Sequence, residues 1–229
     1  MEDATPKDMP RITPLADGPL KYERQVGDGP RGALVDARGR ELDSSDEVLI
    51  CRCGHSASKP FCDFSHVRVG FSSAKRTSGR LDKRVDYEGA EVTVHDNRQI
   101  CAHVEFCVNE LPEVFDRDRA PWINPDGAPA ERVAEQTKRC PSGALSVTIA
   151  GVERRDFDRP PRVWAQPHGP YFVEGWVEIV GEPRAEGASL EHCTLCRCGE
   201  SRNKPFCDGK HWKVGFRDPE DEASQEELR

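Results

Sequence analysis

Large apolar side chains are scarce in this chain. Hydrophobic residues make up 36% and aromatics 7%, methionine occurs twice, and mean hydropathy is −0.72. Over 229 residues this excludes one large apolar interior and favours small cores helped by cross-links or bound cofactors. No apolar run nears the roughly 18 residues of a membrane span, so no membrane partner is expected. An excess of positive charge is also missing. Lys and Arg total 33 against 41 Asp and Glu, a net charge of −8, which argues against nucleic acid and suits a partner with a basic docking surface. Neither Gly-x-Gly-x-x-Gly nor Gly-x-x-x-x-Gly-Lys-[Ser/Thr] occurs, so a bound flavin, nicotinamide or ATP is not expected. The opening Met1-Glu2-Asp3-Ala4-Thr5-Pro6 has no apolar stretch like that of a secretory leader. The expected compartment is therefore the reducing cytoplasm.

Ten cysteines are present. At about 4% of the chain they fall short of a disulfide scaffold, and in a reducing compartment they are better suited to metals. The chain also repeats itself. Residues 51–71 (CRCGHSASKPFCDFSHVRVGF) and 196–216 (CRCGESRNKPFCDGKHWKVGF) agree at 14 of 21 positions at an offset of 145. Upstream, Pro10-Arg11-Ile12 and Asp17-Gly18-Pro19 return at an offset of 151 as Pro161-Arg162-Val163 and His168-Gly169-Pro170. A whole domain is duplicated, with a six-residue difference absorbed between strands.

The expected organisation is a first repeat over 10–72, a basic linker over 73–84, a different domain over 85–150, a second repeat over 161–217, and a disordered acidic tail over 218–229. Short β-branched or alternating runs near 19–26, 47–51, 91–95, 145–149 and 171–180 predict strands. A helix is predicted over about 129–139, with Pro129 at its first position. A short helix should follow each Cys-Asp step, capped by Asp63 or Asp208.

Each repeat offers three cysteines and a histidine: Cys51, Cys53, Cys62 and His66, then Cys196, Cys198, Cys207 and His211. Thiolate and imidazole suit zinc, copper or iron–sulfur clusters. The four-residue step from Cys62 to His66 lets the two share one metal. A structural zinc site, and hence a zinc-stapled interaction module, is the plainer reading, although a one-residue gap between cysteines is short for zinc. Cys193, aligned with Val48, reads as a buried structural thiol. His55, His168 and His192 read as surface or loop residues.

The repeats resemble the CDGSH iron–sulfur (mitoNEET-like) family, whose pattern is C-x-C-x2-(S/T)-x3-P-x-C-D-G-(S/A/T)-H. The second copy matches at Cys196, Cys198, Ser201, Pro205, Cys207, Asp208, Gly209 and His211, departing at Lys210. The first matches at Cys51, Cys53, Ser56, Pro60, Cys62, Asp63, Ser65 and His66, with Phe64 in place of the glycine. At a positive φ that phenylalanine costs about 1–2 kcal/mol. The resemblance implies one [2Fe-2S] cluster per copy. Cys51 and Cys53, or Cys196 and Cys198, would hold the inner iron. Cys62 and His66, or Cys207 and His211, would hold an outer, more exposed one. It also implies that the copies pair within one chain about a pseudo-twofold axis, as a monomer.

Between the copies stand Cys101, Cys107 and Cys140-Pro141. A bacterial ferredoxin runs C-x2-C-x2-C with a distant Cys-Pro; here Val104 stands where the middle cysteine belongs. Three thiolates match a [3Fe-4S] cluster. The stretch also resembles the divergent single-cluster ferredoxin family through Cys101-Ala102-His103, Leu111-Pro112-Glu113-Val114-Phe115, Pro121-Trp122-Ile123, Pro125-Asp126-Gly127 and Cys140-Pro141-Ser142-Gly143-Ala144-Leu145. That resemblance implies [4Fe-4S] as the alternative, with His103 or an outside ligand as fourth donor. Phe115 and Trp122 read as core.

The expected fold is mainly β with short helices: two CDGSH-type β-rich domains pairing with each other, plus an inserted α+β ferredoxin-like domain. The expected function is one-electron transfer by a multi-cluster carrier, not enzymatic catalysis. The alternative is a cluster donor or a redox or pH sensor.

Overall fold

The computed structural model describes residues 8–77 and 82–218. The acidic tail from 219 onward and linker residues 78–81 lie outside the described residues. Each repeat begins with a two-strand antiparallel unit: β1 (Arg11–Pro14) with β2 (Leu20–Glu23), and β9 (Arg162–Ala165) with β10 (Tyr171–Glu174). Alternate residues point inward, so Ile12, Leu20, Tyr22, Val163, Tyr171 and Val173 are buried. β4 (Glu47–Ile50) and β12 (Cys193–Leu195) extend these units and lead straight into the ligand cysteines.

The repeats exchange strands. β3 (Ala33–Val35) leaves the first repeat and pairs in parallel with β9 of the second. β11 (Glu178–Ile179) leaves the second and pairs in parallel with β1 of the first. The anchoring bonds correspond: Ala33 N donates to the Pro161 carbonyl at 3.0 Å, and Glu178 N donates to the Pro10 carbonyl at 2.9 Å. Two four-stranded sheets result, β11-β1-β2-β4 and β12-β10-β9-β3. They share one apolar core, in which Cys193 and Val48 both lie. Neither sheet is complete without the other repeat, so a small core is shared rather than built twice.

The third sheet, β5 (Arg84–Glu88), β6 (Val92–Asn97), β7 (Leu145–Ile149) and β8 (Val152–Arg154), is antiparallel. It packs on α3 (Ala130–Lys138) around Val94, Phe115, Ile123, Val133 and Val147. The other helices are one-turn pieces: α1 (Ser65–Arg68), α2 (Phe106–Glu110) and α4 (Lys210–Lys213). No helix of the described residues is long and apolar enough to cross a membrane.

Several expectations need correction. The middle sheet starts at Arg84, inside the expected linker, and runs to Arg154, beyond the expected end at 150. The run predicted over 171–180 is two strands, because Gly175 and Trp176 both adopt positive φ and turn the chain. Pro129 caps α3 rather than opening it. Asp218 is no part of a loose tail; its carboxylate receives Arg197 Nη1 at 2.9 Å and Nη2 at 2.8 Å. His192 is 2% exposed rather than at the surface. Its Nδ1 lies 2.7 Å from Ser189 Oγ and 2.8 Å from Glu191 Oε2, because the 189–192 turn packs under the middle domain.

Candidate metal centres

The ligand loops are built alike. In the first, Ser56 Oγ donates to the Phe61 carbonyl and accepts from Ser58 N, and Lys59 Nζ donates to the Ser56 carbonyl. In the second, Ser201, Asn203 and Lys204 repeat these bonds. The Asp63 carboxylate accepts from Ala57 N and Ser65 N, bonds that hold it far below the usual carboxylate range. The Asp208 carboxylate likewise accepts hydrogen bonds from Arg202 N and Lys210 N. The aspartates therefore brace the turn before each short helix, one residue earlier than the N-cap.

The candidate ligands fall into pairs. Cys51 and Cys53 Sγ lie 3.6 Å apart, and Cys196 and Cys198 Sγ lie 3.8 Å apart. Cys62 Sγ is 3.5 Å from His66 Nδ1, and Cys207 Sγ is 3.5 Å from His211 Nδ1. Two sulfurs bound about 2.3 Å from one tetrahedral metal stand about 3.8 Å apart, so each pair has a spacing suited to one metal. Among the described residues, no three Cys, His, Asp or Glu side chains converge on a single ion.

Proton affinities follow the same pairing. The Cys53 thiol and the Ser56 and Gly54 amides hold Cys51 down to about 5, while Cys53 itself is pushed up. Cys196 is held down to about 7 by Cys198 and the Ser201 and Gly199 amides. Burial pushes Cys62 and Cys207 up. Burial also lowers His211, to about 4, which leaves its imidazole neutral and able to act as a ligand. Amides two residues on donate to the ligand sulfurs: His55 N to Cys53 at 3.5 Å, Phe64 N to Cys62 at 3.4 Å and Gly209 N to Cys207 at 3.3 Å. Such bonds stabilise thiolate and tune a bound metal.

The two inner pairs meet back to back. Cys53 and Cys198 form an antiparallel bridge. A Cβ on Gly54 would reach the Cys198 carbonyl at 2.8 Å, and one on Gly199 would reach the Cys53 carbonyl at 2.4 Å, so neither glycine can be replaced without moving the loops apart. Tyr171 of the second repeat donates to the carbonyls of Cys51 and Pro60 in the first.

Cys101, Cys107 and Cys140 line one cavity with His103, Val104, Trp122 and Ser142. Val104 thus lines the same cavity as the three thiols. Burial pushes Cys101 to about 11 and Cys107 to about 12, so the thiols are protonated at neutral pH and a metal bound there would displace their protons. His103 and Glu105 adopt positive φ, which wraps the loop from Cys101 to Cys107 around the cavity. Phe115 is buried in the core and Trp122 packs against it, both as expected; Trp122 also lines the cavity and stacks under Arg98, 3.8 Å from its ring centre. Arg98 also reaches Cys101 Sγ at 3.9 Å and lowers its proton affinity. Sequence reasoning missed Arg98. It missed Lys59 and Lys204 too, although the shared Lys-Pro-Phe-Cys-Asp run carried that signal.

One expectation about the sites is overturned. The outer pair is partly exposed only in the first repeat, at Cys62 and His66. In the second, Cys207 is 3% and His211 4% exposed, because the middle domain covers them. His55 is exposed, His168 is partly buried in a turn, and Cys193 is a buried core thiol, as read from the sequence.

A family model described as iron-binding zinc finger, CDGSH type, matches residues 17–67 and 168–212. One described as a divergent 4Fe-4S mono-cluster matches residues 87–149. The uncharacterized protein YjdI, in Escherichia coli K12 and in O157:H7, is 39% identical over 59 residues, which is 26% of this chain and 78% of that protein. No solved structure matches. The chain belongs to the CDGSH iron-binding family, carrying two CDGSH regions on either side of a divergent 4Fe-4S mono-cluster domain.

Proposed function

We propose that this protein is a one-electron carrier, not an enzyme, holding two [2Fe-2S] clusters and one [3Fe-4S] cluster. Cys51, Cys53, Cys62 and His66 hold the first; Cys196, Cys198, Cys207 and His211 hold the second; Cys101, Cys107 and Cys140 hold the third. Bound there, the clusters supply reversible one-electron chemistry at potentials the surrounding groups adjust. The observation that carries this reading is the grouping of nine of the ten cysteines into three sets: a close pair plus a Cys–His pair in each repeat, and three thiols around one cavity in the middle domain. The chain's residues hold the sulfurs in pairs, donate amides to them and keep water from the inner pairs. Arg98 places a fixed positive charge beside the middle set, and Arg52 and Lys204 lie close enough to Cys196 to favour its thiolate form. We place the carrier in the cytoplasm as a monomer whose repeats pair about a pseudo-twofold axis. Its net charge of −8 steers it to a redox partner with a basic docking surface, in a salt-sensitive association.

Anaerobic purification with iron and sulfide counts and electron paramagnetic resonance tests the assignment. About seven irons per chain are expected; about eight would assign the middle site to [4Fe-4S], with His103 or an outside ligand as fourth donor. Val104→Cys should then raise the count from seven to about eight. The partly exposed Cys62–His66 edge favours a second reading, a cluster donor or redox sensor. Transfer of iron and sulfide to an apo-ferredoxin would support that reading, and repeated redox cycling with the iron count unchanged would support the carrier.

A further inference from the structure

The two outer ligand pairs share a local fold but not their surroundings. In the second repeat, His103 of the middle domain lies against Gly209, so close that a Cβ there would meet its Cδ2 at 2.4 Å. Trp212 Nε1 donates to the His103 carbonyl at 2.8 Å. The covered pair, Cys207 and His211, is 3% and 4% exposed. In the first repeat the position of Gly209 is taken by Phe64, whose side chain is 62% exposed and whose ring centre lies 5.9 Å from that of His66. Both positions have the same left-handed backbone, φ +64 at Phe64 and +77 at Gly209. The first loop shows that this φ tolerates a side chain. Glycine at 209 therefore answers a second demand, the approach of His103.

We propose that the middle domain closes the second CDGSH site to the outside, that reagents and partner proteins reach this chain's CDGSH pair through the Cys62–His66 edge of the first, and that residue 209 sets this division. The inference rests on the iron–sulfur reading above. It also follows that the covered site faces the Cys101–Cys107 loop of the middle domain, since His103 of that loop lies against Gly209 and its carbonyl accepts from Trp212 Nε1.

The test treats the loaded full-length protein with a ferrous chelator and N-ethylmaleimide, and follows labelling of each cysteine by peptide mass spectrometry. Cys62 should be modified on the order of tenfold faster than Cys207, and the visible absorbance should fade in two phases. Gly209→Phe, which removes the room for His103, should bring the two labelling rates together. Trp212→Phe keeps the ring but loses the bond to His103, and should narrow the gap in part. Equal rates in the unaltered protein would overturn the proposal, as would an unchanged ratio in a folded Gly209→Phe. If Gly209→Phe does not fold, the ratios of the unaltered protein and of Trp212→Phe decide. An isolated chain with neither iron nor colour would instead defeat the iron–sulfur reading, and there the ratio of Cys62 to Cys207 labelling still reports whether the seal exists.

Discussion

The first and second repeats agree at two-thirds of the positions around their ligands, yet each solves the same loop differently once charge and burial are considered. Arg52 and Arg197 stand between the first two cysteines of each set, both nearly fully buried. Arg52 gives its hydrogen bonds to the carbonyls of Gly18 and Leu15. Arg197 adds a two-pronged bond to Asp218. The acid has changed ends: in the first repeat Asp17 accepts from Ser73, and in the second Asp218 accepts from His168 N. Further along, Asp46 is exposed while its counterpart Glu191 is 0% exposed beneath Arg159 and His192. Backbone geometry has thus been kept, while side-chain charge has followed whatever lies on top. Over the second repeat that is the middle domain, packed through Gly143 against Ser189 and through Asn97 to Glu186.

The comparison can be broken most severely at the histidines. Protons compete with a bound metal for imidazole nitrogen, so the visible colour should bleach on acidification. In stopped-flow records after a drop in pH, His66→Cys should remove the fast phase and His211→Cys the slow one, with the double variant resisting both. Bleaching at the unaltered rate in the double variant would argue against histidine ligation.

Next in size is the buried ion pair. Asp218→Ala leaves Arg197 buried without its carboxylate and should cost roughly 3 kcal/mol, read from the urea midpoint at constant slope. Ser73→Ala, at the matching place in the first repeat, should leave the midpoint almost unmoved. Equal effects would mean that the two Arg environments are equivalent after all.

The acids at 46 and 191 sharpen the contrast through pH. Burial alone would raise Glu191, but hydrogen bonds from His192 and Arg159 outweigh it and hold the group at about 2. A depressed folded value contributes stability above the ordinary carboxylate value of 4.5, and that contribution fades as pH falls toward 2. Glu191→Gln should therefore lower the thermal midpoint at neutral pH and flatten its decline across that acid window. Asp46→Asn, at the exposed counterpart, should leave the neutral-pH midpoint nearly unmoved.

The smallest effect is expected at Phe64. Replacing it by glycine relieves a left-handed side chain, worth about 1 kcal/mol before the added freedom of the unfolded chain is subtracted. A midpoint rise of a degree or two without loss of iron is the anticipated outcome. A fall would show that the Phe64 ring, packed beside His66, contributes more than its backbone costs.

Much of this protein was legible before any coordinates. The pairing of the candidate ligands was written in the spacing, because donors two residues apart, or four apart on one turn, are held side by side locally. The strained Phe64 was legible for the same reason, whereas the predicted caps were misplaced by one residue: Asp63 and Asp208 precede the N-caps Phe64 and Gly209, which carry no side-chain cap bond. The exchanged strands were not. Ala33–Val35 and Glu178–Ile179 are too short to show an alternating pattern, and their partners lie more than a hundred residues away.

Local rules also failed wherever a surface was covered from afar. His192 carries no mark of burial in its own neighbourhood, and Arg98 carries none of its place over Trp122. Residue order alone determined which side chains are the candidate ligands and that Cys51 and Cys53, or Cys62 and His66, would fall side by side, since that depends on side-chain type and short loops. Only the tertiary fold decided which of two near-identical ligand edges stays open, because closure comes from His103, a residue more than a hundred positions from the glycine it meets.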